Sequence, residues 1–370
     1  MIKKYKIKNF DFLLVLAVVM LAIFGILVVG SAKQDLQIKQ IYGVIFGFSI
    51  MIIIAFIDYS FILKFYWVIY ALNIVLLLAT YHPSLGRKVY GAQRWIEIGG
   101  FGFQPSELAK ILLILFFAQF IMKYRERLTS FYMIILNLLF LAVPLGLIYK
   151  QPDLSTSIVI ILIFCTLLFA AGLNWKIIAG VLLVFIPSVT VFIILVLEEG
   201  QTIITDYQRN RIMGFLYPND FIQYSYQQLN SVIAIGSGQL TGKGLNNNAL
   251  TSVKNGDFIS QAQSDFIFSI VGEELGFVGC ITIILLVLFI VIKCLTIARR
   301  AKDLSGSLIA IGIAALLGFQ SIVNIGVATF LLPNTGIPLP FVSYGLTSLL
   351  CSFIAIGIVL NIRLQAVKKV

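Results

Sequence analysis

The sequence predicts an all-α polytopic membrane protein of about ten transmembrane helices. Three observations carry that reading. Of the 370 residues, 60% are hydrophobic, only 12% are charged, and the apolar residues fall into long uninterrupted runs. A soluble domain carries roughly a quarter charged residues. With 30 Phe against 16 acidic residues, there is too little charge to cover a water-facing surface, so lipid must take that place. The same figures exclude a disordered chain, a fibre and an ordinary water-soluble enzyme.

The apolar runs are residues 11–31, 38–57, 61–80, 106–122, 131–149, 154–172, 175–197, 266–292, 305–331 and 340–361. A span needs about 20 apolar residues to cross the hydrocarbon core. The first run lacks an Ala-x-Ala cleavage pattern and reads as a retained span rather than a signal peptide. The chain reads as one integral membrane domain, 1–370, with two long outer loops at about 81–105 and 198–264.

Lys and Arg set the orientation. With the N-terminus inside, the inner segments hold 16 of the 27 basic residues and only four acids, Asp11, Asp58, Glu126 and Asp303. The positive-inside rule then puts both termini in the cytoplasm. The remaining 11 bases and 12 acids nearly cancel on the outer side, so the formal charge of +11 is mostly topology. Nucleic acid is not an expected partner; membrane lipids are. Cys165, Cys280, Cys294 and Cys351 sit singly in apolar runs and read as small buried hydrophobes, without metal-ligand spacing.

Five segments carry polar groups at the outer side. In the first, Gly91-Ala92-Gln93-Arg94-Trp95-Ile96 precedes Phe103-Gln104-Pro105-Ser106-Glu107-Leu108-Ala109-Lys110. Pro105 suits the first turn of a helix, and Glu107 complements its dipole. Lys110 shares a face with Glu107 and enters an apolar run, where a lysine needs a partner or a wet cavity. Either a structural Glu107–Lys110 pair or an anion site with Arg94 satisfies that need, while Arg87 and Lys88 read as solvated. In the second segment, Gln151-Pro152-Asp153-Leu154-Ser155-Thr156, Asp153 is placed to cap the sixth span or to serve a site. The third runs from Tyr207-Gln208-Arg209-Asn210-Arg211 to Gly236-Ser237-Gly238-Gln239-Leu240-Thr241-Gly242-Lys243-Gly244. It fails the P-loop pattern at Ser237 and Gly244. Its alternating glycines around Lys243 suit either a phosphate-gripping backbone or plain tight turns.

The fourth segment, Ser264-Asp265-Phe266-Ile267-Phe268, leads to Gly272-Glu273-Glu274-Leu275-Gly276. On one regular helix, Glu273 and Glu274 would lie roughly 12 Å and 13–14 Å deeper than Asp265 and on other faces. They read as interior hydrogen-bonding groups, whereas Asp265 stands at the water boundary, where proton transfer is feasible. The fifth, Pro333-Asn334-Thr335-Gly336-Ile337-Pro338-Leu339-Pro340-Phe341-Val342-Ser343-Tyr344-Gly345, is uncharged and irregular. Such backbone at membrane depth is buried or lines a cavity, so Pro338, Pro340 and Ser343 read as shaping a site.

These five segments on ten spans resemble the SEDS family (shape, elongation, division and sporulation) of RodA, FtsW and SpoVE. The resemblance covers nearly the whole chain, and GAQRWI, FQPSELAK and QPDLSTS read more like RodA. One departure is Leu346, where the family usually has a second Gly after Ser-Tyr-Gly. The resemblance implies a peptidoglycan glycosyltransferase of the bacterial cytoplasmic membrane that polymerises lipid II into a nascent glycan strand. It implies Asp265 as the essential aspartate of the Asp-Phe-Ile-Phe motif, and a class B penicillin-binding protein as transpeptidase partner. Lipid II carries its own diphosphate leaving group, so no nucleotide cofactor is expected. Asp265 would serve as base, with Lys110, Arg94 and Arg211 stabilising the departing diphosphate. A divalent cation, Mg2+ or Mn2+, at Asp265 is the alternative source of that charge. A lipid II transporter and a non-catalytic scaffold for wall enzymes are the competing functions.

Overall fold

The computed structural model describes residues 5, 7–89, 92–98, 101–173, 183, 206–246, 252 and 258–366. Among them, eight helices are long and apolar enough to span a membrane. These are α1 (Phe12–Ala32), α2 (Gln34–Ala55), α3 (Tyr59–Ala79), α4 (Pro105–Lys123), α5 (Phe131–Lys150), α9 (Ile267–Arg299), α10 (Leu304–Ala328) and α11 (Leu346–Leu364). A ninth apolar helix, α6 (Leu154–Ala170), is shorter. Two polar-face helices, α7 (Asp206–Leu216) and α8 (Ile222–Ser237), lie between α6 and α9. The run expected at 175–197 lies outside the described residues.

The bundle has a centre and a rim. Within their most apolar windows, α4 is 83% and α11 78% buried, against 28% for each of α2, α3 and α5. The rim helices turn Phe12, Tyr42, Val68, Phe131 and Tyr132 outward, as lipid-facing surfaces should. Small residues let the centre close: Gly43 and Gly47 of α2 leave room for Leu346, Leu349 and Phe353 of α11. Gly25 of α1 lets the backbone at Phe341–Val342 cross against it, which holds the proline-rich segment inside the bundle.

Caps and ion pairs place the helix ends. Asp11, Asp58, Asp153 and Asp303 each accept a backbone N–H at a helix start. Asn9, Asp58 and the segment Gln365–Ala366 meet on one face, where Asn9 Nδ2 donates to Ala366 O and Gln365 Nε2 to Asp58 Oδ1. That is the side the lysines and arginines assign to the cytoplasm. The opposite face carries a small antiparallel sheet, a strand element in an otherwise helical protein: β1 (Gly86–Val89), β2 (Ala92–Ile98) and β3 (Phe101–Phe103), ordered β1-β2-β3. Ile96 stands opposite both Gly86 and Phe103, and an exposed Arg87–Glu97 pair closes the β1–β2 ladder.

Three expectations need correction. The last span starts at Leu346, not residue 340, because Ser343 and Tyr344 are tied by hydrogen bonds to Ser264 and Gln263 instead of entering a helix. Asp265 does not lie on the α9 helix: it sits in the turn before Ile267, and α9 itself breaks at Gly276, whose φ of 64° is left-handed. The single-helix depths for Glu273 and Glu274 therefore do not apply. Cys165 is exposed on α6, while the other three cysteines are buried.

Candidate active site

Two pieces of irregular backbone, one strand and two helices meet at the outer end of the bundle. They enclose a cavity of ≈ 500 Å³. Arg94 and Trp95 of β2 form one wall, and Arg211 of α7 another. Asp265 and Ser264 come from the turn before α9; Asn334, Thr335, Gly336 and Pro338 come from the proline-rich segment. Thr347 and Ser348 open α11 at the floor.

Each charged group is held by its own element. Arg94 points across from the sheet and donates from Nε to Gln151 O at 2.9 Å and from Nη2 to Pro152 O. The sheet is thereby bolted to the loop before α6. Arg211 Nη1 reaches Asn334 O at 3.5 Å. Gly336 separates Arg211 from Asp265: a Cβ there would stand 3.2 Å from Asp265 Oδ2 and 3.9 Å from Arg211 Nη1. Its φ of +75° suits glycine alone, so the space between carboxylate and guanidinium stays open.

Asp265 shows part of its surface to the cavity and is walled by protein elsewhere. Burial pushes its carboxyl above the ordinary carboxylate range. Arg211 pulls it back most, followed by the Ser264 hydrogen bond and Arg94, while Asp153 pushes it up. A carboxyl raised by burial and drawn back by nearby guanidiniums suits proton exchange with a substrate hydroxyl.

Lys110 does not line this cavity. It lies beneath, buried, with Nζ 2.7 Å from Glu107 Oε1 and 2.9 Å from Gln320 Oε1. Gln320 Nε2 donates in turn to Pro338 O at 3.0 Å and Ser348 Oγ at 3.4 Å. The buried pair thus supports the cavity floor through one amide. Asp153 is also behind the wall: its Oδ1 caps α6 at Thr156 N.

Lys243 is placed elsewhere. It bonds Glu273 Oε1 at 2.9 Å, and Ser252 Oγ reaches Glu273 Oε2. Glu274 accepts from Ser31 Oγ at 2.5 Å. The loop 238–246 fills the break in α9: Lys243 N and Gly244 N donate to Glu273 O and Glu274 O, and Phe277 N and Val278 N donate to Gln239 O and Leu240 O. The glycines around Lys243 therefore serve close backbone docking, with Gly242 lying directly on the Glu274 carbonyl. Ser343 Oγ bridges Leu339 N and Ser264 O, and Pro340 packs near Leu21 and Ile290. Sequence reasoning did not single out Gln320, Asn324, Gln261 or Thr347. Its missed signal was Gln320 and Asn324, two amides one turn apart inside an apolar span.

A divalent cation fits the residues present poorly. Among the described residues, no three of His, Cys, Asp and Glu converge, and the one cavity carboxylate faces two guanidiniums.

Fold and site together define a multi-pass membrane protein with a cationic cavity, holding one carboxylate, at its outer end. The chain belongs to the FtsW/RodA/SpoVE family of cell cycle proteins, whose pattern matches residues 7–368. A probable peptidoglycan glycosyltransferase FtsW of Geobacter metallireducens is 35% identical, covering 96% of this chain and 95% of its own. Peptidoglycan glycosyltransferase MrdB of Escherichia coli K12 is also 35% identical, covering 96% and 94%. Among solved structures, rod shape determining protein RodA of Thermus thermophilus matches with a TM-score of 0.69 at 25% identity, covering 96% of each chain. A chain from a peptidoglycan synthase complex that coordinates polymerization and crosslinking matches at 0.79 and 27%, covering 96% and 97%. The SEDS resemblance read from the five segments is thus a family membership.

Proposed function

We propose that this chain is a peptidoglycan glycosyltransferase that polymerises lipid II at the outer face of the cytoplasmic membrane, serving cell elongation. The observation that carries the reading is Asp265 facing an open space bounded by Arg211 and Arg94 in one outer cavity. Relatives named as peptidoglycan glycosyltransferases support the class of reaction. The RodA-like wording of the first two segments favours elongation.

The chemistry follows from the groups. The 4-hydroxyl oxygen of an acceptor sugar attacks the anomeric carbon of the donor sugar. The bond from that carbon to the prenyl-linked diphosphate breaks, and the diphosphate leaves with the electron pair. Asp265 takes the hydroxyl proton. Arg211 and Arg94 meet the charge that develops on the leaving diphosphate, in a site preorganised by the Asn334 and Gln151–Pro152 carbonyls. A nascent strand and a class B penicillin-binding protein are the proposed partners. The match to a chain of a peptidoglycan synthase complex supports a partner of that kind.

The test is reconstitution of the purified chain in liposomes containing lipid II, with products resolved on a gel. Glycan strands are the expected product. Movement of lipid II across the bilayer without polymer would make the chain a transporter. Polymer appearing only with a co-purified enzyme would make it a scaffold.

A further inference from the structure

The two segments that carry the cavity are far apart in sequence and lack regular secondary structure. The turn at 260–265 brings Asp265; the stretch 333–345 brings the Gly336 opening and the Asn334 carbonyl on Arg211. Neither has a helix or a sheet to fix its place. Asn324, on α10, touches both. Its Nδ2 donates to Asp265 O at 2.8 Å and to Ile337 O at 2.7 Å. It is buried, at 1% exposure.

The residue type is informative. Both donors on one nitrogen are used, while Asn324 Oδ1 has no partner among the described residues. The side chain is therefore matched to a task needing two N–H groups and no charge. An aspartate would turn acceptors toward two carbonyls, and a serine has one hydrogen. Gln320, one turn earlier on the same face, holds the adjacent carbonyl of Pro338. By contrast, among the described residues Asn137, a buried amide on α5, bonds within its own helix, to Met133 O.

We propose that Asn324 is a positioning residue for the reaction described above: its amide clasps the Asp265 turn to the proline-rich segment and so fixes Asp265 relative to Arg211. This rests on the reading of the cavity as the reacting site. The clasp is not the sole tie between the segments, because Ser343 Oγ donates to Ser264 O and Tyr344 N to Gln263 O. Loss of Asn324 should loosen the geometry without undoing the fold.

The test compares Asn324→Leu with Asn137→Leu, both in full-length protein in liposomes containing lipid II. For Asn324→Leu, kcat should fall roughly 10²-fold, as expected when a reacting group is displaced by about 1 Å. KM should stay within about threefold, because the substrate-facing cations remain. The groups facing Asp265 are Arg211 from α7, Arg94 from β2, Asp153 ahead of α6, and its neighbour Ser264. Since Arg211 lowers the carboxyl most, separation from it should move the acidic limb of the pH–rate profile to higher pH. The pH midpoint for carbodiimide labelling of Asp265, read by mass spectrometry, should move the same way without any turnover. Asn137→Leu should shift neither midpoint. If Asn324→Leu does not accumulate, Asn324→Ser, which keeps one donor, should show the same changes at smaller size. Unchanged kcat and unchanged midpoints would overturn the clasp, as would an equal fall in both Leu variants with no midpoint shift. Failure of the wild-type chain to polymerise would overturn the functional reading instead, and the labelling midpoints would still decide the clasp.

Discussion

Asp265 and the Glu273–Glu274 pair lie on one short stretch of chain and meet opposite surroundings. Asp265 stands in a turn, open to a cavity, with guanidiniums held near it but not locked onto it. Glu273 and Glu274 sit on a broken helix, each 1% exposed, answered by Lys243, Ser252 and Ser31. The first arrangement leaves a carboxylate able to exchange a proton. The second spends its carboxylates on holding the 238–246 loop in the α9 break. Burial alone does not mark chemistry in a membrane; what matters is whether the charge is already satisfied and whether substrate can reach it.

The comparison breaks most visibly at Asp265. Asp265→Asn removes the proposed base and should lower polymerisation roughly 10²–10⁴-fold, with the thermal unfolding midpoint held or raised. Next is Arg211→Leu, which should cost roughly 10²-fold in kcat/KM through lost charge stabilisation. It should also move the acidic limb upward in a pH–rate profile. The sign follows from the cause: Arg211 holds the Asp265 carboxyl down, so without it the active carboxylate is lost at a higher pH.

Lys110→Met sharpens the contrast between a buried pair tied to the cavity and one that is not. It strands Glu107 and the Gln320 acceptor, whose partner is gone, and should cost about 3–5 kcal/mol of stability, read in detergent by denaturant or heat. Activity of the surviving folded fraction should fall as well, because Gln320 holds Pro338 and Ser348. Glu273→Gln is the smallest. Lys243 keeps 30% of its side chain in solvent, so the loss should be about 1–3 kcal/mol, with turnover per folded molecule unchanged.

Much of this organisation was legible in the sequence, for physical reasons. Nine of the ten runs coincide with apolar helices because lipid demands length and apolarity in one segment. Asp153 and Pro105 marked helix starts. Asp265, Arg94 and Arg211 stood out as isolated outer charges, and the cavity gathers all three. What was not legible depends on distant backbone. Asp265 stands in the turn before Ile267 and not on α9, so a regular-helix projection misplaced it relative to Glu273, and the left-handed Gly276 marks the α9 break where the 238–246 loop docks. Lys243 in a glycine-rich stretch resembles an anion grip until Glu273 is found beside it. Asn324 and Gln320 went unnoticed, since their partners are carbonyls of irregular segments that no periodicity reveals.

In the proposed mechanism Asp265 performs the proton transfer while Glu273 holds structure. Initial rates of glycan polymerisation from lipid II by Asp265→Asn and Glu273→Gln, in the same liposomes at matched amounts of folded protein, test it most directly. Near-complete loss is expected for Asp265→Asn and a near wild-type rate for Glu273→Gln. Polymerisation at the wild-type rate by Asp265→Asn would contradict it.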